Sequence, residues 1–160
     1  KYNGPVYIRL ARDAYPVLFS DKYQFELGKS ITLKDGNDVT IISTGTETSR
    51  SIEAAEILGN DGISVSVIHM PSIKPIDKEA IIRAAETTGA IVTAEEHSIY
   101  GGLGSAVAEV LVEEIPIPMI RVGVNDRNSE SGPNEQMLLK YKISSNHIAQ
   151  AVKNVLERKS

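Results

Sequence analysis

The stretch IVTAEEHSIYGGLGSAVAEVLVEEI, Ile91 to Ile115, decides the fold. Ile91, Val92, Thr93 and Ala94 are a mostly β-branched, apolar run of the kind that suits a strand buried on both faces. Glu95, Glu96, His97 and Ser98 are polar and are expected to end that strand. Past Gly101, Gly102 and Gly104 the spacing becomes helical. Ala106, Val107, Val110 and Leu111 recur at three- and four-residue intervals, with Glu114 at the far end. A buried strand, a charged, glycine-rich turn and a helix predict one unit of an open α/β sheet. In such sheets ligands collect at the carboxyl ends of the strands, where helix amino termini point inward.

The glycine spacing is G-G-L-G, not the G-x-G-x-x-G of a dinucleotide fold, and no Lys-Ser or Lys-Thr pair follows as in a P-loop. The glycines are therefore read as letting the helix pack close to the sheet or to a second subunit, because Glu95 and Glu96 would repel an anion. Adjacent strand residues point to opposite faces, so these two carboxylates make poor partners for shared acid/base work. His97, after a buried strand and beside both, is a candidate general acid/base; hydrogen bonding within a subunit contact is the alternative.

On either side of this unit the chain is regular. Ser30–Leu33 and Val39–Ser43 read as strands joined by Asp35-Gly36-Asn37-Asp38, a turn of hairpin type, and are expected to pair antiparallel. Thr44-Gly45-Thr46 enters a helix with Ile52, Ala55 and Leu58 on one face, stopped near Gly59. The loop offers an anion site, although capping explains it equally. Ile63–Ile68 is a strand, with His69 at its end. Asp77 is placed as the N-cap of a helix that ends near Gly89, with Ile76 and Ile81 at staple spacing. Beyond Pro116 and Pro118, Met119–Val124 is the last strand, and helices span about 135–141 and 145–158. Lys153, Arg158 and Lys159 form a cationic helix end. The alternation predicts a three-layer α/β/α sandwich around a five-stranded mixed sheet, mostly parallel with one antiparallel strand.

The first 28 residues differ. Val6, Ile8 and Leu10 alternate with Tyr7, Arg9 and Ala11 as in a strand, and residues 13–28 read as an extended linker carrying Phe19 and Phe25 against a surface. With no initiator methionine, the chain reads as a piece of something longer. A lone amino-terminal strand would be disordered or would borrow an edge from another copy.

Composition removes several functions. With 160 residues, 41% hydrophobic and 24% charged, the chain is one ordinary globular domain's worth. A net charge of -4 argues against nucleic acid, and no apolar run approaches a membrane span. Absence of cysteine fits a cytoplasmic setting, and His69, His97 and His147 lie too far apart in sequence for a metal motif.

GPVYIRLAR, DVTIISTGTET, VIHMPSIKPID, IVTAEEHSIYGGLGSAVAEVL and GVNDRNSESG together resemble transketolase, in particular the carboxyl-terminal part of transketolases made as two chains. Deoxyxylulose-phosphate synthases and the β subunits of 2-oxoacid dehydrogenases share that domain. Arg127 and Asn128 depart from the pattern, which commonly has an aromatic residue there. The resemblance implies thiamine diphosphate and a divalent metal (Mg2+), two-carbon ketol transfer between sugar phosphates, an N-terminal transketolase chain as partner, and a homo-oligomer. It implies that residues 1–28 close a preceding pyrimidine-binding domain and form a linker, and that 29–160 are the terminal domain. Catalytic groups and metal ligands are then expected upstream of Lys1, with no cofactor held by this chain and no ketol transfer by it alone. Arg12, in IRLAR, matches the arginine at the sugar-phosphate end of the substrate channel, a role its bidentate guanidinium suits. Arg9 is a second choice. The alternative from another class is a non-catalytic interaction or regulatory module that recognises a partner subunit or a small anion.

Overall fold

A computed structural model describes residues 2–11 and 13–159. The elements are β1 (Ile31–Lys34), β2 (Val39–Ser43), α1 (Glu47–Asn60), β3 (Val65–His69), α2 (Lys78–Thr88), β4 (Ile91–Ser98), α3 (Leu103–Glu114), β5 (Met119–Val124), α4 (Asn134–Tyr141) and α5 (Ser145–Leu156). The five strands form one sheet in the order β1-β3-β2-β4-β5. All neighbours are parallel except β1, which runs antiparallel to β3. Every residue of β2 and β3 is buried, as β-branched runs without polar alternation require. Ala54, Ala55 and Leu58 of α1 and Ile148, Val152 and Val155 of α5 cover one face. Ile81 and Ala84 of α2 with Val107 and Leu111 of α3 cover the other. The architecture is the expected three-layer sandwich.

The expected hairpin is not formed. β1 pairs with β3, so β1 and β2 flank β3 and their connection crosses over its start. Asp-Gly serves that crossing instead of a two-residue turn. A Cβ on Gly36 would lie 2.1 Å from the Val65 carbonyl carbon, so only glycine passes there. Asp38 fixes the crossing by accepting the Ser64 N–H at 2.7 Å, while Lys159 donates to the Asp38 carbonyl at 2.8 Å. Of the cationic helix end, Lys153 instead pairs with Asp61.

Two helix signals act as read. Asp77 caps α2 by accepting the Ala80 N–H, and it also accepts the backbone N–H and hydroxyl of Ser30, tying β1 to α2. Gly89 closes α2 at φ 62°, in the left-handed region. β4 runs on through the polar cluster to Ser98 instead of stopping at Ala94. α1 continues past Gly59 to Asn60. Val6–Leu10 forms no strand within this chain, and Tyr7 and Leu10 are 89% and 82% exposed. In the linker Phe19 stacks on Tyr23, with ring centroids 4.5 Å apart, and tilts against His69, whereas Phe25 stays exposed. The loop at Asn128 and Glu130 is bonded by the Tyr141 hydroxyl from α4, which accepts from Glu130 N–H and donates to the Asn128 carbonyl.

Candidate functional site

β2 and β4 are neighbours, yet β2 feeds α1 on one face and β4 feeds α3 on the other. Adjacent strands whose helices leave to opposite faces open a crevice at their carboxyl ends. Here that crevice has a volume of about 590 Å³. Thr44 and Thr46 from the β2 end, Glu96, His97 and Gly102 from the β4 end, and Arg9 from the amino-terminal segment line it.

Strand alternation sends the two glutamates apart, as the sequence predicts. Glu95 is 1% exposed, and its carboxylate accepts the backbone N–H groups of Leu103 and Gly104, both at 2.8 Å. It occupies the amino terminus of α3, the position a bound phosphate would take. The glycines permit this fit. A Cβ on Gly102 would sit 1.9 Å from the Glu95 Oε2, and one on Gly104 would sit 2.8 Å from Thr93 Oγ1 and Arg121 Cδ. They serve close packing, and the helix terminus is filled by the protein's own carboxylate. Arg121 secures the preceding loop, donating to the Ile99 carbonyl at 2.8 Å with its guanidinium 5.7 Å from the Tyr100 ring.

The amino terminus of α1 is also acidic. Thr46, its N-cap, makes no capping bond with its side chain; its hydroxyl donates to Glu96 at 2.8 Å. Glu47, in the first turn, is fully buried and pairs with Arg50, which reaches Glu96 as well at 3.2 Å. The anion reading of Thr44-Gly45-Thr46 therefore meets two carboxylates. Glu47 Oε2 has no hydrogen-bond partner among the described residues. Burial pushes its carboxyl up to about 7 against the opposing pull of Arg50.

A raised folded pKa stabilises the fold fully below the ordinary value of 4.5, and that contribution is lost as pH rises through about 7. Wild type is expected to lose stability from pH 5 to pH 8 relative to Glu47→Gln, by a difference on the order of 3 kcal/mol at most. Urea midpoints at the two pH values check this; parallel pH profiles for the two proteins would refute it.

His97 is exposed on the crevice wall, its Nδ1 3.0 Å from the Ser98 carbonyl and 3.9 Å from Glu95 Oε2. His69 ends β3, buried, with Nδ1 2.8 Å from Thr48 Oγ1, and burial lowers its pKa. Arg12 lies outside the described residues. The sequence reading missed the Glu47–Arg50–Glu96 cluster, whose one visible signal was Glu47 and Arg50 three residues apart on a helix.

Among the described residues no three His, Asp or Glu side chains come together as metal ligands, and no helix is long and apolar enough to cross a membrane. The family described as "Transketolase, C-terminal domain" matches residues 28–148. A 6-deoxy-6-sulfo-D-fructose transketolase subunit of Clostridium sp. (strain MSTE9) is 43% identical over 99% of this chain and 49% of its own. One of the subunits of the apulose-4-phosphate transketolase of Phocaeicola vulgatus is 44% identical over 88% of this chain and 45% of its own. A 1-deoxy-D-xylulose-5-phosphate synthase of Syntrophotalea carbinolica is 33% identical over 98% of this chain and 25% of its own. The solved structure of a split-gene transketolase, an inactive β4 tetramer, matches with a TM-score of 0.90 and 48% identity, over 93% of this chain and 49% of that one. The chain thus spans about half the length, or less, of the relatives it matches.

Proposed function

Because the chain belongs to the transketolase C-terminal domain family, we propose that it is the terminal part of a two-chain, thiamine diphosphate- and Mg2+-dependent transketolase. The reaction moves a two-carbon ketol unit between sugar phosphates. The observation that carries this reading is the near end-to-end likeness to transketolase subunits. The chain's own residues do not suit the cofactor's diphosphate and metal. Glu95 fills the α3 terminus, Glu47 and Glu96 stand at α1, and the described residues hold no metal-ligand cluster. The cofactor, the catalytic groups and the metal ligands are assigned to upstream and partner segments. This chain alone is expected to be inactive.

Two contributions remain for it. The exposed alternating segment Val6–Leu10 offers an apolar strand to the sheet of a preceding pyrimidine-binding domain, residues 1–28 forming its end and the linker. The segment that brings Arg9, Ala11 and Asp13 to the crevice also contains Arg12, for which we propose the substrate-phosphate contact. Both readings suit a cytoplasmic homo-oligomer completed by an N-terminal chain.

The test is ketol transfer by the assembled enzyme with thiamine diphosphate and Mg2+, offering xylulose 5-phosphate or pyruvate. Turnover of the sugar phosphate is expected, and Arg12→Ala is expected to raise its KM roughly tenfold to a hundredfold. An unchanged KM removes Arg12 from the site. Turnover of pyruvate instead would move the chain to the synthase branch, which the synthase relatives keep open as the second reading. Inertness toward both would favour a non-catalytic module.

A further inference from the structure

Among the described residues, the middle of the linker ahead of β1 meets the domain at a charged point. Arg50, at the end of the first turn of α1 and 7% exposed, touches three different elements. Its guanidinium donates to Glu47 on α1 and to Glu96 on β4, and its carbon lies 5.8 Å from the ring centre of Tyr15 in the linker. Two carboxylates fix a planar guanidinium on the domain side and leave it a face for an aromatic ring. A second hold lies four residues on, where Phe19 tilts against His69. The chain just before Tyr15 brings Arg9 and Asp13 to the crevice wall, and it reaches the domain through the Tyr15 contact. Glu95 fills the α3 terminus, and Glu47 and Glu96 stand beside the α1 terminus, so the crevice floor is acidic and Arg9 faces it from this segment as a cation.

We propose that Arg50 is a positioning residue that, by seating Tyr15, sets where the segment carrying Arg9 stands over the crevice and so how the phosphate end of the substrate is received. Arg50 itself touches no substrate. The inference rests on the sugar-phosphate reading above. Loss of the seat acts on phosphorylated substrates and leaves an unphosphorylated sugar of the same skeleton unaffected, since only the former uses the guanidinium carried by this segment.

The experiment compares kcat/KM for xylulose 5-phosphate and for xylulose in the assembled enzyme. Arg50→Met and Tyr15→Leu are each expected to lower the ratio of the two about tenfold, and Tyr15→Phe, which keeps the ring, to restore it. Arg50→Met leaves two carboxylates facing each other; if it fails to fold, Tyr15→Leu against Tyr15→Phe decides, because neither disturbs the Glu47–Arg50–Glu96 cluster. An unchanged ratio in Tyr15→Leu overturns the proposal. If wild type turns over neither sugar, the sugar-phosphate reading fails, and with it the substrate half of the inference. The hold on the linker is then read from trypsin cleavage after exposed Lys22, expected to be severalfold faster in Tyr15→Leu than in Tyr15→Phe. Equal cleavage rates would overturn that half too.

Discussion

Gly36→Ala is expected to lower the stability of this chain by about 3 kcal/mol or more, the upper end of what overpacking costs. A Cβ at this position meets backbone and not side chain: it lies 2.1, 2.4 and 2.5 Å from the Val65 carbonyl carbon, the Ser66 nitrogen and the Val65 oxygen. No rotamer change relieves such a contact. Either the β1–β2 crossing lifts off the start of β3, or β3 shifts in a sheet whose β2 and β3 residues are all buried. Lifting the crossing also loosens the bonds between Asp38 and Ser64 and the Lys159 contact on the Asp38 carbonyl. The effect is steric, so Gly36→Ser should cost at least as much. Urea unfolding measures it as a lower midpoint at constant slope. A stability within about 0.5 kcal/mol of wild type would mean that the crossing yields without disturbing β3.

Glu95→Ala is expected to cost about 3 kcal/mol, and Glu95→Gln less than half of that. The alanine leaves the buried N–H groups of Leu103 and Gly104 without their acceptor, each worth roughly 1–3 kcal/mol when orphaned. It also removes a negative charge from a helix amino terminus. Glutamine keeps one amide oxygen to accept from one N–H, but its NH2 group faces the other as a second donor. The order wild type, Gln, Ala separates loss of the acceptor from mere loss of volume. Amide exchange at Leu103 and Gly104 should quicken in the same order. Sulfate should stabilise Glu95→Ala more than it stabilises wild type, and more than an equal ionic strength of chloride does, because only the variant has an α3 terminus open to an anion. Equal stabilities for Gln and wild type would remove the carboxylate from its assigned role.

These two residues show where the sequence could be read and where it could not. Buried strands without alternation, helical periodicity after Gly104, the Asp77 cap and the Gly89 stop are all local signals, and each appears in the fold as read. Glu95 and Glu96 separate by pleat alternation alone. Asp35-Gly36 misled because a hairpin turn and a crossing over a third strand ask for the same residues. A glycine is needed in one case for its backbone freedom and in the other for its missing side chain.

The cluster at the crevice was hidden for a different reason. Glu47 and Arg50 are three residues apart, but Glu96 and Tyr15 reach them from 46 and 35 positions away. No periodicity encodes that meeting. By itself the sequence determined the α/β alternation and the five strands, since these follow from local periodicity and the handed connections it permits. The strand order that opens the crevice between β2 and β4 came from the fold. Only the tertiary structure decided that β1 pairs with β3, that a carboxylate fills the α3 terminus, and that Arg50 joins the linker to α1 and β4. Those outcomes depend on which distant groups compete for the same buried space and the same unpaired hydrogen bonds.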